Sequence, residues 1–417
     1  MRAEIIAVGS ELLTPYRLDT NSLFLTAELN LLGLRVFHKT VVGDSPEEMR
    51  LSFGHALEQA DVVVSCGGLG PTDDDRTRET VAELLGRKLQ LDQTVLQKIQ
   101  ERFRRFGRAM PEINARQAMV IEGATILANP RGTAPGLWIE ARNRILVLLP
   151  GVPYELRALF EAEVKPRLAN LGIPERLFTR DLRIVGLPES DVEQRVSPLY
   201  AQYPDTETTI LASPTGIQLH PRIWSEDAVT AEALLDEMVE RMALALGEHL
   251  YSTRGETLEE VVARVLTENR ATIAVAESCT GGLLAERLTN VPGSSAYFLG
   301  GVVCYSNELK ASIVGVPPEL IEAKGAVSSE VALALADGIR KRTGASLGVG
   351  VTGIAGPTGG TPEKPVGLVH IGIADEHGPS ETRFRFVGDR DRIRQFASQS
   401  ALDSVRRYFL FPTHGRG

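Results

Sequence analysis

The residues with the clearest chemical potential lie in the last third of the chain, in the run Ala276-Glu277-Ser278-Cys279-Thr280-Gly281-Gly282. An apolar stretch precedes the run and a helical pattern follows it, so Ser278 is predicted on a turn between a strand and a helix. There its hydroxyl would lie beside free amides of the helix start, which can stabilise an oxyanion or a phosphate. Cys279 is the alternative nucleophile, since a thiol is intrinsically more reactive.

A serine nucleophile needs a base within hydrogen-bond reach. The histidines of this segment are His370, His377 and His414, and His370 is expected to be packed in a strand, so a Ser-His arrangement is poorly supported. Tyr305 and Lys310, five residues apart after an apolar stretch, offer a phenol and an amine. Burial can lower a lysine pKa until the amine acts as a base. Spacing alone favours the alternative, in which Tyr305 packs against a hydrophobic core and Lys310 is a solvated helix residue.

Two further loops of this segment are suited to an anionic ligand. The run 350–357 follows a strand and exposes the hydroxyl of Thr352 among glycines. The run 387–392 supplies Arg390 and Arg392, whose guanidinium groups can contact phosphate in a bidentate manner. The spacing does not choose between the two arginines.

The first third of the chain carries a glycine-rich run after the predicted strand 62–65. Its amides can cradle a phosphate, while the acids at 73–75 bind a metal or position water. A solvated helix start, where aspartates complement the helix dipole, is the alternative. The residues of this run expected at the ligand are Gly67, Gly68, Gly70, Thr72 and Thr77. The loops 129–136 and 149–155 extend the predicted site by Asn129, Gly132, Thr133, Gly151 and Glu155.

The sequence pattern changes twice along the chain, and the three resulting segments predict the elements that position these residues. Residues 1–170 alternate β-branched runs (4–8, 62–65, 145–149) with helical stretches (21–33, 47–59), which favours a parallel sheet flanked by helices. Residues 171–252 predict a small α+β module for spacing or dimerisation. It comprises a strand at 178–185, a capping box at 190–193 that begins a helix, a hairpin around 213–216 and a helix at 228–246. Residues 253–417 predict a second α/β unit.

Composition restricts the class of protein. The chain has 417 residues, 43% of them hydrophobic, which is typical of a folded protein with two to four domains. A net charge of −9 argues against a duplex-DNA binder, which needs a basic stripe. No apolar run is long enough to span a bilayer, and the first residues do not read as a signal peptide. The three cysteines, Cys66, Cys279 and Cys304, have no metal spacing and fit a reducing cytoplasm.

Several motifs of the last third, taken in order, resemble the C-terminal domain of the CinA (competence/damage-inducible protein A) family, a nicotinamide-nucleotide amidohydrolase. They are Ala-Glu-Ser-Cys-Thr-Gly-Gly, Tyr-Ser-Asn-Glu-Leu-Lys, Gly-Ala-Val-Ser at 325–328, Thr-Gly-Ile-Ala-Gly-Pro and Gly-Asp-Arg. The resemblance covers about 257–409. It implies that Ser278 is the nucleophile, that Tyr305 and Lys310 activate it, and that no cofactor is needed. The substrate contacts it implies are Cys279, Thr280, Gly281, Gly282, Thr352, Gly353 and Arg390.

The first third is similar to the molybdopterin-binding fold as it occurs in the first domain of CinA proteins, a three-layer α/β architecture. The runs 9–13 and 19–21 extend the match to the start of the chain. The resemblance implies an ADP-ribose pyrophosphatase that needs a divalent metal (Mg, Mn or Co), with Asp75 and Asp44 as metal ligands. The sequence departs from the common pattern at Thr14-Pro15-Tyr16-Arg17, which puts the usual ligand of that loop in question.

These expectations describe a cytoplasmic, homodimeric enzyme of pyridine-nucleotide salvage that acts on small nucleotides and contacts neither nucleic acid nor membrane. Two other functions remain open. One is a protein whose first domain binds a pterin or nucleotide without turning it over, and the other is an accessory protein of DNA uptake or repair.

Overall fold

The computed structural model describes residues 1–411, and the chain divides into two compact units. The first unit consists of Met1–Leu177 together with Trp224–Ala228. The second consists of Phe178–Ile223 and the chain from Val229 onward. Both are mixtures of sheets and helices, so the predicted α/β class is confirmed.

The first unit is built on one large sheet. Its strands are β1 (Arg2–Val8), β2 (Arg35–Val42), β3 (Val62–Cys66), β4 (Leu89–Leu91), β5 (Met119–Ile121), β6 (Thr125–Leu127), β7 (Gly136–Ala141) and β8 (Arg144–Leu149). Its helices are α1 (Thr20–Leu31), α2 (Pro46–Gln59), α3 (Thr77–Leu85), α4 (Gln93–Arg105), α5 (Pro153–Leu159) and α6 (Lys165–Ala169). The six-stranded sheet has the order β2-β1-β3-β8-β7-β6, and β4 pairs with β5 separately.

Strands β1, β3 and β8 are parallel, as predicted, and β2, which was not predicted, is parallel to β1. The sheet also has an antiparallel part that was not predicted, because β7 and β6 join it in antiparallel pairs. A short hairpin connects β7 to β8, which only antiparallel neighbours allow. Every residue of β3 is buried, and separate apolar clusters cover the two faces of the sheet.

A five-stranded sheet and two helices form the middle segment. They are β9 (Arg176–Thr179), β10 (Leu182–Ile184), α7 (Glu189–Tyr200), β11 (Glu207–Ser213), β12 (Gly216–Ser225), α8 (Ala228–Leu246) and β13 (Leu250–Ser252). The order is β11-β12-β10-β13, with β9 on β12. The predicted hairpin around 213–216 and the long helix are confirmed.

Two predictions for this segment are wrong. The strand expected at 178–185 is divided, because Arg180 and Asp181 make backbone hydrogen bonds outside it. The capping box expected at 190–193 does not form, because the helix begins at Glu189 with Pro188 as its N-cap. Ser190 is therefore inside the helix, where its hydroxyl contacts the Asp191 carboxylate.

The C-terminal segment is a second open sheet with helices. Its elements are α9 (Leu258–Glu268), β14 (Ile273–Glu277), α10 (Leu283–Thr289), β15 (Phe298–Val303), α11 (Asn307–Leu309), α12 (Pro318–Lys324), α13 (Ser329–Thr343), β16 (Leu347–Gly353), β17 (Leu368–Asp375), β18 (Gly378–Arg385) and α14 (Arg390–Leu410). The strand order is β15-β14-β16-β17-β18. Strand β14 is parallel to β15 and β16, and β17 and β18 are antiparallel.

Helix α13 lies very close to the sheet at Gly350. A Cβ atom there would come within 2.5 Å of the Ala332 carbonyl oxygen. This glycine therefore serves packing, and the predicted loop 350–357 is wrong in its first part, because β16 continues through Gly353. Over the described residues, every helix is too short or too polar to span a membrane.

Candidate functional site

The topology of the C-terminal sheet gathers the predicted catalytic residues at one edge. Strands β14, β15 and β16 are parallel and end together, and β18 ends at the same edge because two antiparallel steps separate it from β16. Ser278 follows β14, Tyr305 follows β15 and Arg390 follows β18. The carboxyl ends of strands are where ligands bind in open α/β sheets.

Ser278 lies on the predicted turn. Its amide donates to the Val351 carbonyl at 2.9 Å, and its carbonyl accepts from the Gly281 amide at 3.2 Å. Gly281 and Gly282 have φ values of 61° and 95°, which side chains rarely tolerate. The two glycines let the chain enter α10 directly after the half-buried serine.

Glu277 explains how this helix start is stabilised. Its fully buried carboxylate accepts hydrogen bonds from the amides of Gly282 (2.9 Å), Leu284 (3.1 Å) and Ala285 (2.8 Å). The expectation of a helix start with free amides is therefore wrong, since a side chain from the preceding strand occupies them. In the described chain, the amides of Cys279 and Thr280 are the ones beside Ser278 that donate to no other residue.

Lys310 is buried, with only 1% of its surface exposed, so it is not a solvated helix residue. It begins a π-helical turn, and its Nζ donates to the carbonyls of Tyr305 at 3.0 Å and Ser306 at 3.5 Å. Burial lowers the pKa of this amine below its ordinary value of 10.5, while the nearby thiols of Cys304 and Cys279 act in the opposite direction. The amine is thus held beside the segment that follows β15, and it lies near enough to Cys279, the neighbour of Ser278, for the two groups to interact electrostatically.

Tyr305 is 59% exposed, so its side chain is not part of the hydrophobic core. Its hydroxyl accepts from Arg390 Nη2 at 3.0 Å, and Arg390 Nη1 donates to the Gly356 carbonyl at 2.8 Å. Arg392 instead lies over the ring of Phe396, 5.4 Å from its centre. Arg390 is the arginine that the structure brings to Tyr305.

Thr352 is fully buried in β16, and its hydroxyl donates to the Ala326 carbonyl at 2.7 Å. This bond ties the predicted 325–328 motif to the sheet. Gly353 packs closely against β17, where a Cβ atom would come within 2.8 Å of the Leu368 carbonyl oxygen. Both residues therefore have a structural role at this edge besides any contact with substrate.

Cys279 is a buried thiol, and burial raises its pKa to about 12. Because the thiolate is the reactive form, a thiol of this kind is a poor nucleophile near neutral pH. The geometry therefore favours Ser278 over its neighbour.

Arg394 is a residue of this edge that sequence analysis missed. It lies one turn after Arg390 in α14 and donates to the Thr280 carbonyl from Nη2 at 2.9 Å and Nε at 3.3 Å. Thr280 itself is fully buried, and its hydroxyl has no hydrogen-bond partner among the described residues. Arg394 holds the turn after Ser278, and only its closeness to the Gly-Asp-Arg motif marked it in the sequence.

His370 is buried in β17, and its Nδ1 lies 2.5 Å from the Glu381 carboxylate. It is a packed strand residue, as predicted, and its paired nitrogen is engaged away from Ser278. His377 is exposed beside Glu376, and His414 lies outside the described residues.

The first unit also collects its predicted site residues at one edge. The parallel strands end there, and the antiparallel strands place the loop between β6 and β7 at the same edge. Gly67 follows β3, Gly151 follows β8 and Asn129 follows β6. A Cβ atom on Gly151 would come within 3.3 Å of the Gly67 Cα, so the two loops touch.

The glycine-rich run is held by buried side chains. Thr77 is buried and its hydroxyl donates to the Gly67 carbonyl at 3.0 Å, while a Cβ atom on Gly68 would clash with that hydroxyl at 2.0 Å. Arg78, which sequence analysis missed, is almost fully buried and donates to the carbonyls of Leu69 (2.9 Å) and Gly70 (3.0 Å). The loop is thus fixed in one shape by its own protein contacts.

The two predicted metal ligands are each partly engaged within their loops. Asp75 accepts from the Thr72 amide at 2.9 Å and from the Thr72 hydroxyl at 2.5 Å through one oxygen. Asp44 accepts from the Ser10 amide at 2.9 Å. Neither belongs to a cluster of three possible ligands within the described chain. Carboxylates engaged in this way would hold a divalent ion only together with ligands from substrate phosphate and water.

Asn129 and Glu155 join the remaining two loops. Asn129 Nδ2 donates to Glu155 Oε2 at 2.8 Å, and its Oδ1 accepts from the amides of Arg131 and Gly132. Gly132 approaches so closely that a Cβ atom would lie 1.6 Å from the Glu155 carboxylate. Both side chains therefore shape the loops.

Beside these loops lies a cavity of about 660 Å3 between α4 and residues 128–135. Asn129, Gly132 and Thr133 line it, as do three cations of α4, Lys98, Arg102 and Arg105, and two acids, Asp92 and Glu101. Arg102 also donates to the Arg131 carbonyl. The cations of α4 were not predicted, although they recur at helical spacing in the sequence.

The two sites and folds define a chain that joins a molybdopterin-type α/β domain to a serine-bearing α/β domain. Matches to family models follow the same order. "Probable molybdopterin binding domain" matches residues 4–170, "Damage-inducible protein CinA KH domain" matches 179–252 and "CinA C-terminal domain" matches 255–409.

Full-length relatives give the family. A CinA-like protein of Solibacter usitatus is 48% identical, with 98% of each chain covered. A CinA-like protein of Acidobacterium capsulatum is 49% identical, with 98% of this chain and all of the relative covered. The solved structure of the competence/damage inducible protein CihA from Agrobacterium tumefaciens is 40% identical over 36% of this chain and 93% of that chain, with a TM-score of 0.35. The chain belongs to the CinA family.

Proposed function

We propose that the C-terminal part of the chain hydrolyses the carboxamide of nicotinamide mononucleotide to nicotinate mononucleotide and ammonia. The observation that carries this proposal is the buried amine of Lys310, whose pKa is lowered beside the turn that bears Ser278. The activity itself is the one that the family resemblance implies, and the buried amine and the serine-bearing turn support it.

The lysine is suited to act as a base. A neutral amine has two N–H bonds and one lone pair, and two carbonyls, those of Tyr305 and Ser306, already accept from Nζ. The lone pair is then free to take the proton of the Ser278 hydroxyl. A serine-lysine pair of this kind is a known variant of the serine triad.

In the proposed reaction, Ser278 Oγ attacks the carboxamide carbon while its proton passes to Lys310 Nζ. The carbonyl oxygen becomes negatively charged, and we expect the amides of Cys279 and Thr280 to donate to it. Lys310 returns the proton to the leaving nitrogen, which departs as ammonia. Water then hydrolyses the ester on Ser278, with Lys310 again as the base.

The Tyr305–Arg390 pair forms the charged part of this edge. Because Arg390 is fixed by Gly356 and Tyr305, its positive charge is held in one place. A fixed guanidinium is suited to the phosphate of the mononucleotide. Tyr305, with its exposed ring, is placed to contact the substrate and to orient the lysine through its own carbonyl.

A second activity, cleavage of ADP-ribose to AMP and ribose 5-phosphate, is proposed for the first unit. The cavity lined by Lys98, Arg102 and Arg105 favours it, because its charge and volume suit a nucleotide diphosphate. A divalent ion held by Asp75 and Asp44 would neutralise charge on the pyrophosphate. Fixed glycine amides at 67–70 would orient the phosphates.

The first proposal is tested by incubating the purified full chain with nicotinamide mononucleotide and measuring ammonia and nicotinate mononucleotide together. Equal amounts of both products are expected. Nicotinamide riboside, which lacks the phosphate, is expected to react far more slowly if Arg390 binds that group. A chain that releases no ammonia from the mononucleotide would contradict the proposal.

The second proposal is tested by following ADP-ribose cleavage with Mg²⁺, Mn²⁺ or Co²⁺. Binding of ADP-ribose without cleavage under all three ions would instead favour a pterin- or nucleotide-binding module. We further propose that the chain works as a homodimer in the cytoplasm, consistent with three free cysteines.

We also propose that the chain acts on small nucleotides and not on nucleic acid. KH domains clamp the nucleic-acid backbone with a Gly-X-X-Gly loop. The glycines of residues 179–252, at positions 186, 216 and 247, have no such spacing. Binding of labelled DNA or RNA at physiological salt would contradict this and favour the role in DNA uptake or repair.

A further inference from the structure

Away from both candidate sites, Glu4, His38 and His55 bring together a carboxylate and two imidazoles. One ligand atom from each of the three lies within 4.8 Å of the others. Glu4 is on β1, His38 is its partner on β2, and His55 is on α2. The cluster therefore connects two strands and the helix that follows them.

Glu4 is unusual for a carboxylate, because only 1% of its surface is exposed. One oxygen accepts from the Thr40 hydroxyl at 3.0 Å and lies 3.4 Å from His38 Nδ1. The other oxygen, Oε2, is buried and has no hydrogen-bond partner within residues 1–411. A buried carboxylate oxygen without a partner is costly unless something binds it.

The two histidines are accessible from solvent at the side of this carboxylate. The side chain of His38 is 49% exposed, and its ring centre lies 6.3 Å from that of the exposed His55. Two imidazoles and one carboxylate form the ligand set of many zinc sites and of related divalent metals. Bonds of about 2.0–2.2 Å to zinc require ligand atoms about 3.3 Å apart, so small rotations of the exposed rings would close the set.

We propose that Glu4, His38 and His55 form a binding site for a divalent metal ion of the zinc class. Three protein ligands leave a fourth position for water or an external ligand. The bound ion would fasten α2 to β1 and β2. This proposal is independent of both proposed activities.

The site is also separate from the metal proposed for ADP-ribose cleavage. Glu4 lies near the amino end of β1, whereas the glycine loops follow the carboxyl ends of the strands. The four residue-to-residue steps from Glu4 to Val8 span about 13 Å at about 3.3 Å per step. One ion cannot therefore serve both places.

The test is a zinc titration of the full, tag-free chain against a chromophoric chelator, with cobalt as a second, spectroscopically visible probe. One ion per chain is expected, with a tetrahedral cobalt spectrum. His55→Gln and His38→Gln should each weaken zinc binding at least tenfold, since loss of one of three ligands is severe. Zinc should raise the midpoint of thermal unfolding of the natural chain and not of His55→Gln.

His377→Gln is the matched control, because His377 is an exposed histidine outside the cluster and should bind zinc like the natural chain. Glu4→Gln is a further test, but its burial makes folding a concern, so the exposed His55 decides the outcome. Absence of zinc binding by the natural chain would overturn the proposal. So would zinc affinity unchanged within twofold in a folded His55→Gln protein.

Discussion

The two candidate sites lie at equivalent edges of their sheets but differ in where their charged groups are. At the C-terminal edge the decisive groups, Lys310 and Glu277, are buried and bound by protein atoms. At the N-terminal edge the glycine-rich loop is held by hydrogen bonds from Thr77 and Arg78, while the charges of α4 line a cavity. In the proposed functions, the C-terminal edge therefore supplies a base and a nucleophile, and the N-terminal edge supplies loop shape and positive charge.

Burial explains this difference in chemical terms. A buried amine loses hydration, which favours its neutral form and makes it a base. An exposed guanidinium keeps its charge and binds anions without transferring protons. In the proposed functions, the N-terminal edge would therefore take up a divalent ion for catalysis, whereas the C-terminal edge would use its own amine.

The largest expected effect comes from removing the nucleophile. Ser278→Ala should lower deamidation of nicotinamide mononucleotide by about 1,000-fold or more and leave ADP-ribose cleavage unchanged. Cys279→Ala is the matched control, because it keeps the backbone amide and should retain activity within about tenfold. Ammonia release is the measurement. An inactive Cys279→Ala protein together with an active Ser278→Ala protein would reverse the assignment.

The second largest effect is expected from removal of divalent metal, which should affect the two proposed activities differently. A chelator is expected to reduce ADP-ribose cleavage at least about 100-fold, because pyrophosphate charge is then not neutralised. Deamidation in the same sample should change less than twofold. Asp75→Asn should mimic the chelator for ADP-ribose alone. Equal sensitivity of both reactions to the chelator would contradict the proposal that only the N-terminal activity needs a divalent metal.

A smaller effect is expected from the cations of α4. Arg102→Gln should raise the KM for ADP-ribose roughly tenfold, since a hydrogen bond to a charged group contributes about 1.5 kcal/mol or more. The value of kcat should change little. Arg104 belongs to the same helix but does not line the cavity, so Arg104→Gln is the control. Equal KM values for the two variants would show that this cavity does not bind ADP-ribose.

The smallest effect concerns the shape of the glycine loop. Gly86 has a φ of 64° and open space around it, so Gly86→Ala should lower the free energy of unfolding by about 1 kcal/mol. Gly68 has a similar φ but faces the Thr77 hydroxyl, so Gly68→Ala should lower it by about 1–3 kcal/mol more. Tryptophan fluorescence during denaturation reports this, because Trp138 and Trp224 both belong to the first unit. Equal losses would mean that the loop is not rigid.

Sequence patterns predicted the buried parts of the fold well. The strands β1, β3 and β8 each contain a short run of apolar residues, which a local pattern identifies. Strand β2 was missed because most of its residues are exposed at the sheet edge and carry no apolar run. Antiparallel β6 and β7 were missed because strand direction depends on topology and not on composition.

The same limit applies to the sites. The motifs around Ser278 and Gly67 are local and were predicted. Arg394 contacts the Thr280 carbonyl across 114 positions of the chain, which no local pattern encodes. Glu277 belongs to the quoted motif, but the hydrogen bonds from the helix-start amides to its carboxylate depend on the exact path of the turn. The burial of Lys310 likewise follows only from three-dimensional packing.

The most direct test of the central claim, that a buried lysine activates Ser278, is the pH dependence of kcat/KM for deamidation in the natural chain and in Lys310→Met. A base works when deprotonated, so the natural rate should rise with pH through a pKa below 10.5 and then level off. Lys310→Met should fold, lose this rise and be about 100- to 10,000-fold slower. A folded Lys310→Met protein with the natural pH profile and a rate within twofold of the natural chain would contradict the account.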